Sequence, residues 1–207
     1  MQLRLCSGHT SSEYVTLQLW RSASLLRCPL HPKGRCGFAR HGTYARVAPP
    51  GTRIARWYCP QGHCTFSLLP DHLAARFPGT LAQIEDVVAV VEASPSLEAA
   101  ANALRTDDVT LATVLRWIRR RTRLVRITLI AVVSLLPDLC LGTAPTIHAF
   151  RLLFAGESVL MVLREVTASH LAGLSRPLGF RPPADRTGGR KSLLQQHKGA
   201  DPPAGKG

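Results

Sequence analysis

CPLHPKGRC (residues 28–36) and CPQGHC (residues 59–64) carry four of the chain's six cysteines and two of its eight histidines, and between them runs a basic, aromatic segment, Gly37 to Trp57. Thiolate and imidazole donors suit Zn2+, which takes four of them tetrahedrally. Two short ligand-bearing turns joined by a hairpin can supply that geometry in a region too small to build its own core. Residues 28–71 therefore read as a small β zinc ribbon holding a structural Zn2+. Neither turn is a clean CxxC: Cys28 is followed by His31 and Cys36, Cys59 by His63 and Cys64. The preferred ligand set is Cys28, Cys36, Cys59 and His63, with His31 and Cys64 as alternates. Unmetallated thiols, or a Cys28–Cys36 disulfide, are the competing reading. Two close groups with His interleaved, and no sign of export, favour metal. Cys6 and Cys140 lie outside the groups and read as small apolar residues. His9, His148, His170 and His197 have no ligand-spaced partner.

With 207 residues, 45% hydrophobic and 19% charged, the chain suits one ordinary folded domain or two small ones. A net charge of +13 implies an anionic partner, nucleic acid or an acidic membrane surface. Position narrows the choice. Residues 1–57 hold nine Lys/Arg against one acid, residues 58–108 two against seven, and residues 109–126 six Arg and no acid. The two basic segments are thus the ribbon and a helix. No targeting signal follows Met1. The longest apolar run, eleven residues from Ile127 to Pro137, falls short of the about 20 a membrane span needs. These features predict a cytoplasmic, nucleoid-associated protein with no membrane partner.

Outward from the knuckles, Val15, Leu17 and Leu19 alternate with polar residues and predict a strand in the extension 1–27. Phe38–Val47 and Arg53–Tyr58 read as strands joined by a turn at Pro49-Pro50-Gly51-Thr52. Arg40, Arg46, Arg53 and Arg56 stand on that hairpin beside Tyr44, Trp57 and Tyr58, a mixture able to grip phosphate or stack on bases. Thr80 with Gln83 fits a capping box opening a helix to Ala93, with Leu81, Ile84, Val87, Val88 and Val91 as its apolar stripe. A short alanine-rich helix covers residues 96–104. A third, Val109 to about Arg123, buries Leu111, Val114, Leu115 and Ile118.

Several stretches resemble a known group. Arg40-His41-Gly42-Thr43-Tyr44, Arg56-Trp57-Tyr58-Cys59 and Thr65-Phe66-Ser67-Leu68-Leu69-Pro70-Asp71, with Cys-Pro opening each knuckle, look like the zinc-ribbon segment of transposase-like proteins of bacterial mobile elements. In that group the ribbon precedes a helix-turn-helix. The likeness covers residues 28–71 and continues more loosely to Arg123. The chain departs from the pattern at both second cysteines, where His31 and Gly62 stand. The resemblance implies a DNA-binding, accessory or truncated transposase-like module, with a separate transposase or recombinase subunit as a further partner.

Two short helices with a tight turn, the second rich in Arg, form a helix-turn-helix candidate over residues 79–125. Thr110, Thr113 and Arg116, with Ala112 beside them, then face base edges of double-stranded DNA. Arg119, Arg120, Arg121 and Arg123 meet phosphates, as do the four arginines of the hairpin. Residues 126–175 read as a helical packing or dimerisation unit: one helix from Leu124 to Leu136, another near Pro145, a third from Glu157 to about Leu174. Residues 176–207, with eleven Pro or Gly and seven Lys/Arg, read as a disordered basic tail. The fold class expected is thus α+β. A nuclease core needs spaced carboxylates for two metal ions. Beyond the third helix only Asp138, Glu157, Glu165, Asp185 and Asp201 remain, so no enzyme is expected. A zinc-ribbon transcriptional regulator or an RNA-binding protein is the alternative. A zinc hydrolase is disfavoured because Pro60, Gln61 and Thr65 beside the knuckle offer no base.

Overall fold

Ala55, Trp57 and Cys59 alternate with Ile54, Arg56 and Tyr58, and this period-two pattern makes β3 (Arg53–Cys59) an internal strand with two different faces. In the computed structural model, which describes residues 1–181, β3 pairs antiparallel with β2 (Ala39–Ala45) and β4 (Cys64–Pro70). β1 (Gln2–Leu5) adds parallel to β4, giving the sheet order β1-β4-β3-β2. One face packs Ala55, Trp57, Phe66 and Leu68 against Tyr14, Trp20 and the cysteines of the first knuckle. The other packs Ile54 and Leu69 under Leu171, Leu174 and Phe180.

The extension departs from its expected strand. Thr10 and Glu13 close a reciprocal capping box that opens a helix, α1 (Ser11–Thr16), where Val15–Leu19 had the period of a strand. Gln18, with φ near +50°, ends the segment, and the strand of this region is the shorter β1.

Helices follow the sheet. Thr80 and Gln83 form the expected capping box on α2 (Leu81–Ala93), and Ser96 caps α3 (Leu97–Leu104). α4 is one uninterrupted helix, Leu111–Leu135, where two helices meeting near residue 124 were expected. Its first half packs Val114 and Ile118 against Val87, Ala100 and Ala101, and its second half packs Val125, Leu129 and Val132 against α2 and the helices that follow. At about 1.5–3 kcal/mol for each large apolar side chain buried, this double contact outweighs any local preference for a break. The expected boundary between residues 125 and 126 therefore falls inside a helix. α5 (Ile147–Leu153) begins where Glu92 accepts hydrogen bonds from the Ile147 and His148 N–H groups at 2.9 and 2.8 Å. α6 spans only Val159–Val166, shorter than expected, and gives way to a 3-10 turn at Ala168–His170. The Thr167 hydroxyl donates to the Leu163 carbonyl there, a local bond that competes with continued helix.

The stretch 176–181, expected to be disordered, is built into the structure: Leu178 and Phe180 are buried. Arg164, 1% exposed, explains why. Its guanidinium donates to the carbonyls of Asp71, Leu73, Pro177 and Leu178 at 2.5–2.9 Å, tying the end of the sheet to the last turn of the described residues. Burial pulls its pKa down to about 10, still charged at neutral pH. The expectation for residues 182–207 lies outside the described residues. Among the described residues, no helix is long and apolar enough to cross a membrane.

Candidate metal centre and basic surfaces

The first knuckle is a turn in which the His31 N–H donates to the Cys28 carbonyl at 3.2 Å, folding the imidazole back over the thiol. The second lies between β3 and β4, whose ends pair Cys59 with Cys64. Together they bring four donors, Cys28, His31, Cys36 and Cys59, within 4.8 Å of one another. The three cysteines are buried and all six cysteines are free thiols. His31 Nδ1 lies 3.3 Å from Cys59 Sγ and 3.7 Å from Cys28 Sγ. Tetrahedral zinc at 2.0–2.1 Å from nitrogen and 2.3 Å from sulfur would hold such atoms about 3.6 Å apart, so the donors fit the ion.

The surroundings favour thiolate. Burial alone would raise the Cys28 thiol, but the His31 side chain and the Leu30 and His31 backbone N–H groups outweigh it and bring the pKa down to about 7. At Cys59 burial prevails and pushes the pKa up, while the Gly62 N–H donates to Sγ at 3.3 Å and opposes the rise. Gly62 is also confined: a Cβ there would stand 2.5 Å from Leu30 Cδ1 and 3.4 Å from Cys59 Sγ. This is the position where the resembling group carries a cysteine, and in this chain it serves as a donor-bearing cradle.

The donor cluster therefore differs from the expected ligand set in one member. His63, at φ +43° and exposed, turns away from the cluster, and the alternate His31 takes the fourth place. Cys64, half-buried, directs its thiol at the Thr65 carbonyl, 3.8 Å away.

The hairpin arginines divide sharply. Arg40 donates to the Trp20 and Arg21 carbonyls and lies over the Trp57 ring, and Arg46 donates to the Ala74 and Phe77 carbonyls. Both were expected to contact phosphate. Their guanidiniums fasten loop carbonyls, which need donors, while Arg40 stays exposed and Arg46 half-buried. Arg53 is exposed with Nε on the Thr43 hydroxyl, and Arg56 is half-buried over Tyr44.

On α4, Thr110 is the N-cap without a side-chain cap bond. Its hydroxyl meets that of Thr113 at 2.9 Å, and Arg116 Nη2 reaches Thr113 at 3.4 Å. Ala112, Arg119 and Arg123 are exposed. Arg120 lies over Phe77, and Arg121 stacks 3.8 Å from the Trp117 ring centre, where burial lowers its pKa to about 10. Sequence reading missed Trp117's role as a shelf for Arg121, although their i, i+4 spacing carried the signal. Compared with protein-family models, with curated proteins and with solved structures, the chain matches none.

Proposed function

We propose that this protein binds duplex DNA, with α4 as the reading helix and a structural zinc ion holding the β module that braces it. The observation that carries the reading is the outward face of α4. Thr113, Arg116, Arg119, Arg120 and Arg123 are all exposed there, whereas Val114, Ile118 and Val125, on the opposite side, are buried. One charge of a single sign repeated along one face of a helix is the electrostatic footprint of a phosphate backbone. α3 precedes α4 across a six-residue connection and contributes the small Ala100 and Ala101 to the contact, as the first helix of a helix-turn-helix does.

In this reading Thr110, Thr113 and Arg116 meet base edges, and Arg119 and Arg123 hold phosphates. Cys28, His31, Cys36 and Cys59 would hold the zinc, which contributes folding energy and no chemistry. The resemblance of residues 28–71 to ribbons of mobile elements supports a narrower role as the recognition module of such an element. In that role the chain acts beside a separate strand-cutting subunit. The test is duplex affinity against salt. Log K should fall by about 0.9 for each phosphate contact. Arg116→Ala should relax sequence preference, and Arg119→Ala should weaken every sequence alike. A flat salt response, or equal effects from the two substitutions, contradicts the reading.

A further inference from the structure

We propose a second nucleic-acid site, a platform for single strands on the sheet face opposite the metal centre. In β3, Trp57 and Cys59 point into the core beside the knuckles, so Arg56 and Tyr58 stand on the other face. Pairing places Ser67 opposite Arg56, Thr65 opposite Tyr58 and Tyr44 opposite Ile54, all on that face. Ala39 pairs with Tyr58, so alternation places His41 on this face as well, with its ring centre 5.6 Å from that of Tyr58. Arg56 lies 5.8 Å over the Tyr44 ring. Leu171, Leu174 and Phe180 roof the face at its Ile54–Leu69 end, where one side of Tyr44 packs against them. Tyr44, Arg56 and Tyr58 remain half-exposed and His41 exposed.

Two observations select the occupant. The first is charge: from Tyr14 to Pro70 the chain has eight Lys/Arg and no Asp or Glu, so an anionic strand meets no acid from strands β2, β3 and β4. The second is the kind of group exposed. Aromatic rings at strand spacing, with one guanidinium between them and hydroxyls alongside, offer π faces to bases and donors to sugar and phosphate. A duplex, whose bases are already stacked, cannot use such rings. The platform does not depend on the duplex reading of α4, since it uses none of the same residues.

The experiment is fluorescence anisotropy of the full-length, zinc-loaded protein with labelled oligo(dT) and oligo(U) of about 15 nucleotides. Binding of either strand is expected, and the ratio of the two affinities identifies the natural sugar. Tyr44→Ala and Tyr58→Ala should each weaken binding about tenfold or more, with Tyr58→Phe close to wild type because the π face is kept. Tyr58 neighbours a metal ligand and Tyr44 packs against the Ile54–Leu69 cluster, so zinc content and a thermal melt are measured on each variant. Arg119→Ala should leave strand affinity unchanged, and excess unlabelled duplex should not displace the strand. Wild-type affinity in Tyr44→Ala and Tyr58→Ala, each carrying its zinc, would overturn the platform, as would stoichiometric displacement by duplex. Retained strand binding with no duplex binding would instead remove the α4 reading alone.

Discussion

His31 follows Cys28 by three residues and His63 follows Cys59 by four, and that difference decides which imidazole reaches the thiols. The shorter spacing folds His31 back over its own knuckle, whereas His63 is carried past the turn into solvent. One equivalent of zinc per chain is expected, and His31→Ala should weaken its retention against a chelator by more than the roughly 10–100-fold typical of losing a supporting group. His63→Ala should leave retention unchanged; the reverse ranking would exclude the set proposed. That thiol and imidazole donors cluster between these knuckles was readable from cysteine grouping alone. The fourth ligand was not, because spacing does not give the φ of the residue that follows it. His72 makes a second case at this scale. It is 7% exposed, packs edge-on to Tyr14 at 5.4 Å, and neither ring nitrogen finds a hydrogen-bond partner among the described residues. Burial holds its pKa down to about 4 against 6.5 for the free side chain. The neutral ring's contribution is therefore complete above pH 6.5 and is lost as pH falls toward 4, by at most about 3 kcal/mol. His72→Phe keeps the ring contact and removes the proton site. Thermal melts from pH 7 to 4.5 should show a shallower loss of Tm in the variant than in the wild type, and parallel curves would refute the account.

α4 shows what local pattern does and does not decide. Composition changes abruptly along it, from Arg-rich to apolar near Leu124, and that change reads as a boundary. Yet no Gly or Pro stands between Leu111 and Leu136, and buried positions recur across the change at Val114, Ile118, Val125, Leu129 and Val132. The missing breaker was the better guide than the shift in composition. Capping boxes were similarly reliable: Thr80 with Gln83 opened α2 as expected. The same grammar at Thr10 with Glu13 went unread because Val15, Leu17 and Leu19 mimic a strand. The turn after the 3-10 segment hides a stricter demand. A Cβ on Gly179 would overlap the Leu174 carbonyl, which is backbone and cannot rotate away. Gly179→Ala should therefore cost about 2 kcal/mol or more through forced displacement of residues 174–180. Urea unfolding should show the loss, and a change below about 0.5 kcal/mol would mean that the turn yields freely.

Across the whole molecule the expected layout of a β module, then helices, holds, and so does the alternation of basic, acidic and basic stretches. Its physical sense is visible in the packing. One acid of the middle stretch is used inside: Glu85, 2% exposed, accepts from Arg151, Ser158 and the Leu160 N–H, while the exposed Glu92 caps α5. Asp71 takes Arg4, which also meets Glu165. What the sequence could not convey is the connection between its two ends. Read as a string, the chain divides into a finger, a reading unit and an appendix, parts that evolution might exchange like cassettes. Arg164 forbids the exchange. Two of its four carbonyl partners, Asp71 and Leu73, follow the sheet and two, Pro177 and Leu178, follow the helices, so stopping the chain at residue 175 would leave a buried cation with half of its acceptors. The end of the sheet and residues 177–178 thus close on one cation and fold as one piece.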